Sequence, residues 1–116
     1  FMLRRKMMKE RTLREIKEEY GISRRAIQGY EALGLVAPTG KTKMGYLLYD
    51  EKTVERIREI RFYQNAGFQV KQIKELIDAP ADVKKNALCD KRKELMRKIE
   101  ELTRLLERMK KIIEEQ

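Results

Sequence analysis

Apolar residues at helical spacing predict a first short helix near the N-terminus. They stand at i, i+3 and i+7, in Leu13, Ile16 and Tyr20. The preceding Thr12 and the Glu15 three positions later have the form of a capping box, in which both side chains accept hydrogen bonds from free amides of the first turn. The pattern predicts a helix of about three turns that ends at Gly21.

A second short helix is predicted directly after this glycine. Ser23 is a favourable N-cap, and Gly34 marks the end of the pattern. The apolar positions between them are Ile27, Tyr30 and Leu33. Two short helices joined by so few residues predict a helix-turn-helix motif, although other helical hairpins share this spacing.

Residues 35–49 predict a short β-hairpin, or wing. An apolar pair precedes Pro38, a basic tip follows at residues 40–43, and the segment closes with Gly45-Tyr-Leu-Leu-Tyr49. We expect at least one of the two tyrosines in this last segment to lie in the core and the other to donate a hydrogen bond to phosphate. We assign the phosphate hydrogen bond to Tyr46.

Two more helices are predicted before the second proline. Asp50 caps a third helix with apolar residues at positions 54, 57 and 60, which ends at Asn65-Ala-Gly67. A fourth, short helix at 70–77 carries its apolar residues on one face. We therefore expect a domain at 12–78, preceded by a basic arm at 1–11 and followed by a linker at 79–81.

The last segment, 82–116, predicts a long helix that associates with a second copy of the chain. After a first interval of seven, its apolar residues recur at alternating intervals of four and three, as in a heptad seam. These residues are Leu88, Leu95, Ile99, Leu102, Leu106, Met109 and Ile113. Because so small a chain has little else to cover this stripe, we expect a homodimer. The predicted fold is mainly α: a winged helix-turn-helix and a long dimerisation helix.

The net charge of +9 favours an anionic partner such as nucleic acid. Residues 1–50 hold eleven basic and six acidic groups, whereas residues 81–116 hold eleven and eight with alternating signs. No apolar run is long enough to cross a bilayer, and the mixed charges of the last helix argue against binding to lipid. A single cysteine permits no internal disulfide, which is typical of a cytoplasmic protein.

Residue usage argues against an enzyme or a metalloprotein. The chain has no histidine, the commonest general base and metal ligand. Cys89 has no second cysteine as a co-ligand, and even two copies of it in a dimer would make an incomplete site. We therefore expect no catalytic residue, no metal and no cofactor, and we interpret Cys89 as a small, buried or semi-exposed apolar residue.

The start of the second helix is the first candidate for DNA recognition. Ser23, Arg24 and Arg25 stand where free helix amides favour phosphate and where arginine reaches guanine edges in the major groove. The alternative is a pair of solvated arginines on a surface helix. Lys41 and Lys43 in the hairpin suit phosphate contact, although lysine-rich loops are also common on surfaces without a ligand.

Gly29 stands in the middle of the second helix. Glycine there costs about 1 kcal/mol relative to alanine. Two interpretations stay open: the close approach of a DNA or protein backbone, and a substitution that is merely tolerated.

The order of these motifs resembles that of the MerR family of bacterial transcription regulators. The resemblance runs from about Leu13 to the end of the chain. It is carried by Gly21-Ile-Ser-Arg-Arg-Ala-Ile-Gln-Gly-Tyr-Glu31, Gly34-Leu35, Gly45-Tyr-Leu-Leu-Tyr-Asp50, and Gly67-Phe68 followed by Ile73-Lys-Glu-Leu76. It implies a long helix that pairs antiparallel in a homodimer. It also implies binding to palindromic promoter DNA with an overlong spacer, which is bent and untwisted so that RNA polymerase can engage.

The resemblance also implies contacts for individual residues. The residues from Ser23 to Arg25 would open the recognition helix, which also carries Gln28. Tyr30 would support a phosphate contact, Tyr46 would lie on the wing, and Arg61 would lie near the DNA backbone. Family sensors carry an effector-binding segment beyond the coiled coil. Because the sequence ends at Gln116, we expect either a short regulator without an effector or the N-terminal portion of a longer protein.

Two stretches depart from the family pattern. The family commonly has Arg-Tyr-Tyr where this chain has Gln28-Gly29-Tyr30, and an arginine where the wing has Leu47. Each lost charged contact predicts a salt slope smaller by about one unit, which the basic arm would offset. The leading interpretation is a dimeric, sequence-specific DNA-binding transcription regulator. The alternative is a MerR-like protein-interaction module, similar to the chaperone-modulator relatives, with weak or no DNA binding.

Overall fold

The computed structural model describes residues 10–115, and these form five α-helices and one antiparallel hairpin. In chain order the elements are α1 (Leu13–Tyr20), α2 (Arg24–Ala32), β1 (Gly40–Lys41), β2 (Leu47–Leu48), α3 (Glu51–Asn65), α4 (Val70–Leu76) and α5 (Ala81–Glu115). The contacts divide the chain into two units between Asp78 and Ala79. The predicted fold class, mainly α with a short hairpin and a long last helix, is confirmed.

Helix α1 begins with the predicted capping box. The backbone N–H of Glu15 donates to Oγ1 of Thr12 at 3.2 Å, and the Glu15 carboxylate accepts from the backbone N–H of Thr12 at 3.0 Å. Gly21 ends the helix with φ +69°, a left-handed conformation that glycine adopts without strain. The helix has eight residues, so the predicted length of three turns was too long.

Helix α2 begins at its predicted cap, where Oγ of Ser23 accepts from the backbone N–H of Ala26 at 3.1 Å. Ile27 and Tyr30 point into the core, and Ile22 in the connection to α1 is buried as well. Because Gly21 turns the chain sharply, these apolar residues of α2 reach the core that Ile16 of α1 enters. The two helices form the predicted helix-turn-helix.

The wing is a short ladder in which Gly40 lies opposite Leu48 and Lys41 opposite Leu47. Its turn is closed by the backbone N–H of Thr42, which donates to the carbonyl of Tyr46 at 2.8 Å. The tip therefore lies at residues 42–46. The prediction of a tip at 40–43 was wrong, because the first two of those residues pair in β1.

Arg11 extends this sheet by an isolated antiparallel bridge to Tyr49. The two residues exchange both backbone hydrogen bonds, each at 2.8 Å. Arg11 thus packs as part of the first unit. Residues 1–9 of the predicted basic arm lie outside the described residues.

The core of the first unit is mainly aliphatic, and its buried aromatic residues are Tyr30, Tyr49, Tyr63 and Phe68. Its largest fully buried side chains are Tyr49, Ile16, Ile27, Ile57, Ile60 and Ile73. The hydroxyl of Tyr49 donates a hydrogen bond to the carboxylate of Glu31. Burial, together with this carboxylate, raises the pKa of Tyr49 well above its ordinary range. Tyr46 is 61% exposed, so Tyr49 is the core tyrosine of the wing, and the phosphate contact of Tyr46 stays a prediction.

Helix α3 is fixed at its start and near its middle by polar contacts. The carboxylate of Asp50 accepts from the backbone N–H of Thr53 at 2.8 Å, as the predicted cap requires, and this hydrogen bond lowers the pKa of Asp50. Arg56 donates to the carbonyl of Leu35 at 2.6 Å and to both carboxylate oxygens of Asp78, at 2.6 and 3.0 Å. These contacts tie α3 to the segment before the wing and to the end of the first unit.

Helix α5 is long and buries none of its residues. At 1.5 Å per residue its 35 residues extend over roughly 52 Å. Ion pairs along its surface join Lys91 to Glu94 at 3.0 Å and Arg104 to Glu100 at 3.7 Å. Such pairs one turn apart support an exposed helix by only a few tenths of a kcal/mol each, about 0.2–0.5.

Within residues 10–115, every helix is either too short or too polar to cross a lipid bilayer. The same residues hold no cluster of three cysteine, aspartate or glutamate side chains suited to a metal ion. Cys89 lies exposed on α5 as a free thiol. Cys89 is thus more exposed than the buried or semi-exposed position expected for it from the sequence.

Candidate nucleic-acid interface

Helix α2 presents its polar residues to solvent because its opposite face is anchored in the core. Ile27 and Tyr30 are buried, whereas Arg24, Arg25 and Gln28 are exposed. None of these three exposed side chains forms a salt bridge or a side-chain hydrogen bond among the described residues. The helix therefore offers two uncompensated positive charges and one amide to an external partner.

One groove joins the start of α1, the first turns of α2 and the wing. Arg24 and Gln28, one helical turn apart, line it from α2, and Tyr46 lines it from the wing. Its volume is about 620 Å³. The structure thus brings together three residues that the sequence analysis assigned to DNA. The guanidinium, amide and phenol groups of these residues all supply hydrogen-bond donors suited to phosphate oxygens or base edges.

The sequence analysis missed two polar residues in this groove, Thr12 and Arg14. The signal that identifies them is the capping box, since it places both residues at the exposed N-terminal end of α1. Nε of Arg14 lies 3.2 Å from a carboxylate oxygen of Glu18 on the helix surface. Because exposed pairs of this kind are weak, at about 0–1 kcal/mol, Arg14 is able to exchange Glu18 for a phosphate.

Three other predicted residues line a second cleft, between α2, α3 and α4. Arg25, Tyr30 and Arg61 lie there together with Gln64, around a volume of about 290 Å³. Tyr30 is only 4% exposed, and its hydroxyl donates to Oε1 of Gln64 at 2.6 Å. The geometry makes Tyr30 a brace for α2, and its predicted phosphate contact stays a prediction. No sequence signal links Tyr30 to a residue 34 positions away.

The remaining candidates lie apart from both cavities. Lys41 and Lys43 are exposed on the wing. Ser23 is exposed, but its hydroxyl oxygen already accepts the capping hydrogen bond from Ala26. The lysines are therefore placed for long-range attraction of an anion, and the contribution of Ser23 lies first in starting α2.

The predicted dimer residues form a stripe on α5. Of the seven, Leu88 is half-buried and the other six are exposed: Leu95, Ile99, Leu102, Leu106, Met109 and Ile113. An exposed apolar stripe of this length is the mark of a surface that a partner covers. Pairing through it stays a prediction.

An exposed basic helix beside a wing defines a DNA-binding domain of the helix-turn-helix class. The model of the MerR HTH family regulatory proteins matches residues 11–80, and the model described as MerR, DNA binding, matches residues 54–114. The chain therefore belongs to the MerR family. This membership confirms the resemblance drawn from the motifs.

Named relatives agree with this assignment. The HTH-type transcriptional activator mta of Bacillus subtilis (strain 168) is 34% identical over 86 residues, covering 74% of this chain and 34% of that protein. Heavy metal-dependent transcription regulator 2 of Rhizobium meliloti (strain 1021) is 37% identical over 92 residues, covering 73% of this chain and 62% of that protein. The chain thus spans between a third and two thirds of the length of these two relatives.

Solved structures show the same fold. The N-terminal part of the Bacillus subtilis multidrug transporter activator, MtaN, has a TM-score of 0.67 at 28% identity, with 89% of this chain and 97% of that one covered. HiNmlR, a MerR family regulator lacking the sensor domain and bound to promoter DNA, has a TM-score of 0.72 at 22% identity, with 84% and 79% covered. At that identity, HiNmlR supports the fold alone.

Proposed function

We propose that this chain binds promoter DNA as a homodimer and regulates transcription by distorting that DNA. In this proposal α2 enters the major groove, where Arg24, Arg25 and Gln28 contact base edges and phosphates. The wing lies along the backbone with Lys41, Lys43 and Tyr46, and Arg61 contacts a phosphate. RNA polymerase is then the partner on the same promoter, and the cytoplasm of a bacterium is where that DNA lies.

The observation that carries the proposal is the groove shared by α1, α2 and the wing. Arg24 and Gln28 of α2 face the same space as Tyr46 of the wing. A duplex has phosphates on both sides of its major groove. One rigid protein surface is therefore able to place a helix in the groove and a wing on the backbone beside it. The exposed side chains supply charge and donors at both places.

The proposed homodimer is supported by the exposed apolar stripe on α5. Six of its seven apolar residues are exposed in the single chain, and antiparallel pairing of two such helices would cover them. A dimer also offers two copies of α2 to a palindromic site. Two binding modules on one scaffold raise the affinity for such a site far above that of one module.

The test is a salt titration of binding to duplex DNA selected from a random pool by the native protein. The variant Arg24→Ala/Arg25→Ala removes two charges from α2. Its control, Arg104→Ala/Arg108→Ala, removes two charges from α5. We expect the α2 variant to lose about four units from the slope of log K against log salt, about one for each arginine removed from the two copies of α2 in the bound dimer, whereas the control keeps the native slope.

Sequence specificity separates the regulator from a nonspecific binder. We expect the native protein to prefer its selected duplex over a shuffled one, and the α2 variant to lose much of this preference, since each bidentate arginine–guanine contact discriminates by about 1–3 kcal/mol. Equal binding of both variants, or no retention on DNA in dilute buffer, would instead favour the protein-interaction module.

A further inference from the structure

The cleft between α2, α3 and α4 has largely apolar walls. Its floor is formed by the core residues Leu35, Ile60 and Ile73, each less than a tenth exposed, and Leu33 and Val70 stand at its sides. Tyr30 also lines the cleft, and its hydroxyl is held by the hydrogen bond to Gln64. A cavity of about 290 Å³ with such walls favours an apolar body over water.

Positive charge and a free donor stand among these walls. Arg25 and the half-buried Arg61 both line the cleft, and neither has a carboxylate partner among the described residues. Oε1 of Gln64 accepts from Tyr30, which leaves its amide N–H groups without a partner in the described part of the chain. Guanidinium and amide N–H groups are donors only, so they select an acceptor with negative charge.

Gly29 lines the cleft without a side chain to occupy it. It shares one face of α2 with Arg25 and Leu33, which stand one turn before and one turn after it, and all three line the cleft. A Cβ built on Gly29 would meet no atom within 4 Å. The position therefore has room for a Cβ, and a larger side chain would extend from it into the space of the cleft.

We propose that this cleft binds a small aromatic carboxylate. The aromatic body would pack on the apolar lining of the cleft, and the carboxylate would pair with Arg25 and Arg61. A phosphodiester would satisfy the two charges but leave the apolar walls wet, and a neutral aromatic molecule would leave the charges unpaired. The site is thus complementary to a molecule that has both parts.

Occupancy of the cleft has a consequence that rests on the proposed function. Arg25 and Arg61 are among the residues proposed to contact DNA, and a carboxylate paired with them neutralises that charge. The anion would then compete with DNA. Because binding of the anion is measured without DNA, a negative result would count against the ligand site and not against the proposed DNA binding.

The experiment is a calorimetric titration of the full chain with 2-naphthoate in the absence of DNA. We expect saturable binding at one site per chain. Two further probes separate the contributions of the two parts of the ligand. 2-Naphthylmethanol keeps the aromatic body without the charge, and inorganic phosphate keeps a negative charge without the aromatic body. Each should bind at least about tenfold more weakly than 2-naphthoate, since each loses one class of contact.

A variant that fills the cleft tests the site without destabilising the fold. Gly29→Leu should abolish 2-naphthoate binding while raising the midpoint of thermal unfolding, because leucine is favoured over glycine inside a helix. Gly29→Ala is the matched control, with a similar gain in helix propensity and most of the cleft left open. Arg61→Gln should weaken binding about tenfold or more.

Several results would overturn the site. These are the absence of saturable binding by the native chain, unchanged binding by Gly29→Leu, and equal binding of 2-naphthoate and its neutral alcohol. Equal binding of 2-naphthoate and phosphate would also overturn it, because the apolar floor would then contribute nothing.

Discussion

The hydroxyl of Tyr30 donates a hydrogen bond to Oε1 of Gln64 at 2.6 Å and so links α2 to α3. The two residues are 34 positions apart in the sequence. Tyr30 stands on the buried side of α2, opposite Arg24 and Gln28, so the contact fixes the rotation of the helix about its own axis. The orientation of the exposed side chains thus depends on a hydrogen bond made behind them.

The variant Tyr30→Phe tests whether this residue acts as a brace. We expect the free energy of unfolding to fall by about 0.5–1.5 kcal/mol, the ordinary contribution of one such hydrogen bond. Urea denaturation of the native and variant proteins measures this change. Affinity for DNA should fall only modestly, with an unchanged salt slope.

The matched control is Tyr46→Phe, which removes the exposed wing hydroxyl and should leave stability unchanged. A large loss of DNA affinity in Tyr30→Phe at unchanged stability would contradict the brace and would favour the direct phosphate contact.

The cap of α3 predicts a dependence of stability on pH. The hydrogen bond from the backbone N–H of Thr53 lowers the pKa of Asp50 in the folded chain. In the unfolded chain this carboxyl has a pKa of about 3.9. The stabilisation is therefore complete above that value and is lost as the pH falls through the lower, folded pKa.

The variant Asp50→Asn isolates this term, because asparagine caps a helix about as well without titrating. We expect the two proteins to have similar free energies of unfolding at neutral pH and the native protein to lose more stability than the variant below pH of about 4. Urea denaturation across this pH range measures the difference. A difference that stays constant with pH would show that the carboxylate is not the titrating cap.

The stripe on α5 predicts the assembly state. Leu102→Glu and Leu106→Glu each place a charge in the middle of the stripe, where pairing would bury it, and we expect both variants to be monomeric by light scattering. Lys111→Glu is the control, since heptad spacing puts position 111 on the opposite side of α5. A dimer that persists in both leucine variants would show that the interface lies elsewhere.

Signals within a few residues of each other predicted most of the fold. The caps at Thr12, Ser23 and Asp50 all appear where the sequence placed them, because each depends on a side chain and an amide three positions apart. The heptad seam likewise requires only its own spacing. The hairpin was located correctly and its tip misplaced, since a two-residue pairing register leaves little pattern in the sequence.

Contacts between distant parts of the chain were not predictable in the same way. Arg56 joins Leu35 to Asp78, and Arg11 pairs with Tyr49, but nothing in the local pattern of either arginine marks such a partner. The cleft depends on the packing of α2, α3 and α4 around Gly29, which has no side chain. The sequence therefore identified Arg24, Arg25 and Arg61 without showing that they divide between two cavities.

Helix α5 makes the abundance of the protein part of its behaviour. Because it buries nothing of its own, its helical state draws little support from a lone chain, and helix propensity is a weak support by itself. In the proposed homodimer, dilution would weaken the pairing that supports this helix, and a higher concentration would restore it. On this proposal, a cell with few copies would hold mostly unpaired chains, and the proposed regulation would increase steeply as the copy number rises.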